Sequence, residues 1–136
     1  MLIHRDIRRD PRAWIAVFLG GAIGGLFRGA LSDWHPAGSG WPWTTFVVNL
    51  AGAALLTVVA ARPPHHGRAT GYVRPFLGTG FCGGLTTFAT LQVEVVHLMD
   101  IGRGALAAAY LICSVVGGLA VAFAILHSLR SSRWGR

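Results

Sequence analysis

The chain has no lysine, only five acidic residues and only two cysteines in 136 positions. Charged residues make up 12% of it, about half the roughly 25% of a soluble domain, which excludes an ordinary water-facing surface. Arginine alone supplies the strong bases behind the net charge of +7. These arginines sit at the termini and in loops, with no basic helix face or aromatic platform, so membrane orientation explains them better than nucleic-acid binding. Cys82 and Cys113 lie inside apolar runs and read as small buried thiols rather than a disulfide. No nucleophile stands beside a base, so nothing points to an enzyme. His65-His66 lacks further ligands and reads as solvated loop. Glu94 and His97 form a single Glu-x-x-His pair, whereas dimetal bundles use two, so it reads as a charge-neutralising helix pair.

What the chain has is apolar length. It is 53% hydrophobic, and four apolar segments run over about 14–31, 44–61, 73–98 and 105–127. Each approaches the roughly 20 residues that cross about 30 Å of hydrocarbon. The expectation is one all-α domain over 1–136, with four transmembrane helices and short loops. The N-terminal arginines ahead of the first run imitate a signal peptide, but the run is too long and lacks a cleavage pattern, so it is expected to stay. With alternating helices, Arg5, Arg8, Arg9, Arg12, Arg62, Arg68, Arg74, Arg130, Arg133 and Arg136 fall on one side, against Arg103 and at most Arg28 on the other. The positive-inside rule then puts both termini in the cytoplasm, in a single orientation.

The third segment is the unusual one. Gly78, Gly80, Gly83 and Gly84, followed by Thr86-Thr87, weaken a helix in the middle of an apolar stretch. Backbone in hydrocarbon must satisfy its own hydrogen bonds, so a break is tolerated only where protein or a water-filled site covers it. Such breaks often offer carbonyls and amides to ions, which points to ion handling.

Polar residues in the other spans are few. Gly20/Gly24, Gly21/Gly25 and Gly25/Gly29 have the spacing that lets helices approach closely. Arg28 near the first span's end reads as a structural anchor reaching the interface. Trp34, Trp41 and Trp43 suit the headgroup region. Thr45 and Asn49 share a face of the second span. The Asn49 amide either bonds a neighbouring helix or lines a pore, offering N–H groups to an anion. Tyr110 and Ser114 share a face of the fourth span and either bond neighbouring helices or line a polar track.

Together these elements resemble the Fluc, or CrcB, family of small fluoride channels. The matching residues are Gly20-Gly21-Ala22-Ile23-Gly24-Gly25-Leu26-Phe27-Arg28, then Thr45-x-x-x-Asn49-x-x-Gly52. In the third span they are Gly78 to Thr90 with Glu94 one turn later, and in the fourth Tyr110-x-x-x-Ser114. The resemblance covers roughly 15–127. It implies an antiparallel dimer of four-helix subunits with a broken third helix, in the bacterial plasma membrane, exporting fluoride from the cytoplasm. It implies a structural sodium ion at the dimer centre, not transported, on the backbone carbonyls of Gly83 and Thr86. The implied fluoride pathway takes Asn49, Phe88, Tyr110 and Ser114, with Thr45 and Thr90 nearby, while Arg28 and Glu94 are structural. Asn49, Ser114, Thr45 and Tyr110 carry polar hydrogens, and Phe88 has a positive ring edge, so each suits an anion.

Two departures stand out. Thr86-Thr87-Phe88-Ala89-Thr90-Leu91 replaces the family's usual Thr-Thr-Phe-Ser-Thr-Phe, so Leu91 removes one aromatic edge from the implied pathway. The arginine bias is stronger than a chain inserting both ways would carry. Both features fit pairing with an oppositely oriented paralogue rather than a homodimer. The competing classes are a small four-helix proton-coupled multidrug transporter and a non-transporting membrane assembly subunit. The first needs an embedded carboxylate that the first span lacks, and the second leaves the third-span break unexplained.

Overall fold

A computed structural model describes residues 10–34, 38–61 and 70–134, and among them every regular element is helical. Arg5, Arg8, Arg9, Arg62, Arg68, Arg136 and the His65-His66 loop lie outside the described residues. Helix α1 spans Pro11–Trp34. Asp10 sets its start: the carboxylate accepts from Arg12 N at 3.0 Å and proline occupies the first helical position. Helix α2 spans Trp43–Ala61, and the Arg74 guanidinium donates to the Ala60 carbonyl at 2.7 Å near its end. At 24 and 19 residues these helices are about 36 and 28 Å long, enough to cross hydrocarbon.

The third span is divided, as the sequence predicts. Arg74–Cys82 winds as a π-helix and runs into one α turn, Gly83–Leu85; together they form α3. Thr86 (φ −78°, ψ 150°) and Thr87 (φ −150°, ψ 119°) are extended. Helix α4, Phe88–Asp100, then starts afresh, with Thr87 Oγ1 accepting from Thr90 N at 3.1 Å as its N-cap. The break therefore sits at the threonines, one turn beyond most of the glycines. Gly102, at φ +77°, ends α4: Arg103 N reaches the Leu98 carbonyl at 2.8 Å and Gly102 N reaches Met99 at 3.0 Å. That wrap needs a left-handed residue, and only glycine takes it without strain. Helix α5 runs Gly104–Trp134.

The glycines of α1 and α3 interleave. A Cβ on Gly24 would strike the Phe81 carbonyl oxygen and lie 2.9 Å from Leu85 N. One on Gly80 would lie 2.6 Å from the Val17 carbonyl oxygen, and one on Gly84 would strike that of Gly21. The two backbones therefore touch, as small-residue packing allows. A Cβ on Gly25 or Gly29 would meet nothing within 4 Å, although the Gly25 backbone nitrogen would lie 3.0 Å from a Cβ on Gly84. The contacts advance together along both helices, so α1 and α3 run parallel, as first and third crossings must. Thr45 meets the Tyr110 region and Leu50 meets Gly117, so α2 and α5 are parallel likewise.

Three helices are long and apolar enough to cross a membrane, Pro11–Trp34, Trp43–Ala61 and Gly104–Ser131. The halves of the divided span make the fourth crossing. Large apolar side chains such as Trp14, Phe18, Leu26 and Phe123 face outward, which suits lipid. A small interior cluster gathers Leu91, Leu98, Ala107 and Tyr110, with Trp41 and Phe46 against it.

Candidate functional site

The break is held by one side chain. Asn49 Oδ1 accepts from Thr87 N at 2.9 Å, and Asn49 Nδ2 donates to the Thr87 carbonyl at 3.2 Å. The amide meets the extended peptide as a neighbouring strand would, satisfying two backbone groups that have no water in hydrocarbon. The N–H of Thr87 must face an oxygen, which fixes the amide's orientation. A carboxamide has two N–H donors, and one is spent here. The geometry shows the cross-helix bond of the first reading of Asn49, and no partner for its second N–H is seen among the described residues.

The same diversions free two carbonyls. In a continuous helix Thr87 N–H would serve Gly83, and Thr90 N–H would serve Thr86. Here the first goes to Asn49 and the second to Thr87 Oγ1. The Cys82 carbonyl is taken twice by Thr86, through N at 2.9 Å and Oγ1 at 2.8 Å. Gly84's carbonyl accepts from Arg28 Nε at 3.1 Å. Arg28 is thus anchored on the third span's backbone, where the sequence suggested the interface. Gly83 and Thr86 are left as hard oxygen donors at the negative end of α3, a set that fits a small hard cation.

Beyond the break lies a buried polar chain. Thr45 Oγ1 donates to Glu94 Oε1 at 2.7 Å and Tyr110 Oη donates to Glu94 Oε2 at 2.6 Å. All three residues are buried, Tyr110 completely. Glu94 therefore serves two hydroxyls rather than pairing with His97, which lies on the exposed face of α4. The hydroxyl hydrogens of Thr45 and Tyr110 are committed to that carboxyl group. Ser114, one turn along α5, is different: its Oγ is buried and has no hydrogen-bond partner among the described residues. An unserved buried polar group costs about 1–3 kcal/mol, so this hydroxyl is suited to bonding a polar guest.

Phe88, in the first turn of α4, is 63% exposed, whereas Leu91 is buried in the core against Tyr110. Thr90 Oγ1 accepts from Thr87 Oγ1 at 3.1 Å. Gly83 lies on the wall of an open, largely apolar groove of about 820 Å³, with Trp14, Val17, Leu56 and Val59 among its other walls. The structure thus brings Thr45, Asn49, Glu94, Tyr110 and Ser114 along one face of α2, α4 and α5, and leaves Phe88 and Gly83 at the outside. Two participants escaped the sequence reading. Thr87 is the peptide that Asn49 holds, and its signal was the second threonine of the pair. Trp41 has a buried indole nitrogen without a hydrogen-bond partner among the described residues, and nothing in its motif separated it from Trp34 and Trp43.

The family model described as CrcB-like protein, Camphor Resistance (CrcB), matches residues 15–126. A Mycobacterium bovis protein named fluoride-specific ion channel FluC 1 is 48% identical over 111 residues, 81% of this chain and 84% of that protein. A Streptococcus pneumoniae protein named fluoride-specific ion channel FluC 2 is 41% identical over 80% of this chain and 88% of its own length. The corresponding Bordetella petrii protein, fluoride-specific ion channel FluC, is 38% identical over 88% and 95%. These are channels rather than enzymes by name, and the apolar helices make this chain a multi-pass membrane protein. With its broken third span and the match across almost all of its helical part, the chain belongs to the CrcB-like family.

Proposed function

We propose that this chain is one subunit of a passive channel that lets fluoride leave the cytoplasm and so limits its toxicity. The observation that carries the reading is the break at Thr86–Thr87 clamped by Asn49. The names of the relatives support fluoride as the ion. Fluoride gives up its tightly held water only to strong hydrogen donors. This chain offers the second N–H of Asn49, the unpartnered hydroxyl of Ser114, and the positive N-terminal end of α4. Phe88 adds a positive ring edge. Thr45 and Tyr110 hold the Glu94 carboxyl group fixed along the same track. A negative-inside potential favours anion exit by about 2.3 kcal/mol per charge per 100 mV, and no station may bind so tightly that the ion cannot leave.

The carbonyls of Gly83 and Thr86 would hold a structural sodium ion, whose fixed positive charge lowers the cost of an anion in a low-dielectric site. Exposure of Phe88 and of the Gly83 groove leaves both open to a second subunit, which the family resemblance makes antiparallel. The arginine bias favours an oppositely oriented paralogue over a second copy. A fluoride-hypersensitive bacterium tests the whole reading. Expression with the partner should restore growth in fluoride and leave tolerance of cationic drugs unchanged. Drug tolerance without fluoride tolerance would replace it with the proton-coupled transporter.

A further inference from the structure

Trp41 does not behave as an interfacial anchor. Trp34 and Trp43 are 83% and 63% exposed, as headgroup residues are. The Trp41 indole instead packs among three rings: Phe46 at 5.4 Å, Tyr110 at 5.5 Å and Trp43 at 5.9 Å between centroids. The Phe46 and Tyr110 contacts are edge-to-face, at 83° and 81°, so the indole plane is held from two sides. Its backbone is pinned as well, with Trp43 N donating to the Trp41 carbonyl at 2.8 Å. Yet Nε1 is buried and no acceptor meets it among the described residues. Buried polar groups in native proteins are almost always paired. An indole N–H is a donor only, so what is missing is an acceptor.

The second buried orphan is Ser114 Oγ. Trp41 touches Tyr110 directly and Ser114 lies one turn beyond it on α5, so two unserved donors flank Tyr110, whose hydroxyl, like that of Thr45, is locked to Glu94. We infer that Trp41 Nε1–H is a further fluoride-binding donor. It would receive the ion at the end of the pathway that carries the 38–43 loop and the α4–α5 turn. The inference rests on the fluoride-channel reading above and extends it to a residue outside the third-span motif. Fluoride suits the site because it is a compact, strong acceptor, and neither the Tyr110 hydroxyl, which serves Glu94, nor the other two rings bond Nε1.

The test uses the full chain with its partner subunit, labelled with ¹⁵N at the indoles and titrated with sodium fluoride or, in parallel, sodium chloride. Loss of one resonance in Trp41→Phe assigns it. Should that variant fail to fold, single Phe replacements of the other four tryptophans assign it by elimination. The Trp41 resonance is expected to move saturably with fluoride and to stay in place with chloride. In vesicles, Trp41→Phe, which keeps a ring for the packing, is expected to lower fluoride efflux about ten-fold, the loss of one hydrogen bond to an ion. A conducting wild type whose Trp41 resonance ignores fluoride, or a Trp41→Phe variant that conducts like it, overturns the inference and leaves the channel reading intact. A wild type that does not conduct overturns both.

Discussion

Asn49 is where a single side chain decides the local backbone. Leucine there would fill the same space and leave the Thr87 N–H and carbonyl unserved at membrane depth. Asn49→Leu should destabilise the protein by about 2–4 kcal/mol, two part-buried groups at about 1–2 each, read as a shifted denaturation midpoint in detergent. A midpoint equal to wild type would remove the clamp from the account. Phe88 makes the opposite case. It is mostly exposed in the single chain, so its substitution should spare folding and touch transport. Phe88→Ile removes the ring edge and should lower efflux about five- to ten-fold, an edge contact being worth about 1 kcal/mol, while subunit assembly is unchanged. Unaltered flux would take Phe88 out of the pathway.

At the scale of elements, what the sequence declares and what it hides divide along physical lines. Four crossings were legible because hydrocarbon demands length and apolarity, and four segments have both. The interruption was legible from the third-span glycines and Thr86-Thr87, but the two signals do different jobs. Gly80 and Gly84 let α3 touch α1, and the threonines make the break. Composition alone does not separate a glycine that packs from one that bends. The π winding of Arg74–Cys82 had no signal in the pattern, because it depends on the neighbouring backbone. Orphaned donors such as Trp41 Nε1 are invisible for the same reason: a missing partner is a three-dimensional fact. The two glycine roles predict a contrast. Gly24→Ala places a methyl on the Phe81 carbonyl oxygen and should cost about 1–3 kcal/mol, as overpacking does. Gly25→Ala, with open space before it, should be close to neutral in a single chain. The reverse order in a denaturation series would mean that α1 packs by another face.

For the whole molecule, topology and charge point the same way. Parallel α1 and α3, and parallel α2 and α5, put the start of α1 and the end of α5 at one end of the bundle. The Tyr72 hydroxyl donating to Asp10 at 2.8 Å, and Arg74 at the end of α2, tie that end together. The arginine asymmetry predicts that labels on both termini react from the cytoplasmic side in nearly every molecule. Equal labelling from both sides, with conduction by the chain alone, would favour the homodimer.

A fluoride electrode beside liposomes holding the chain, alone and with an oppositely oriented paralogue, reads fluoride conduction directly, with chloride release followed in the same vesicles. Rapid, protein-dependent fluoride efflux with no matching chloride efflux is expected, with a sharp fall on losing the Asn49 clamp. Chloride leaving as fast as fluoride, or fluoride staying inside with both subunits present, would contradict it.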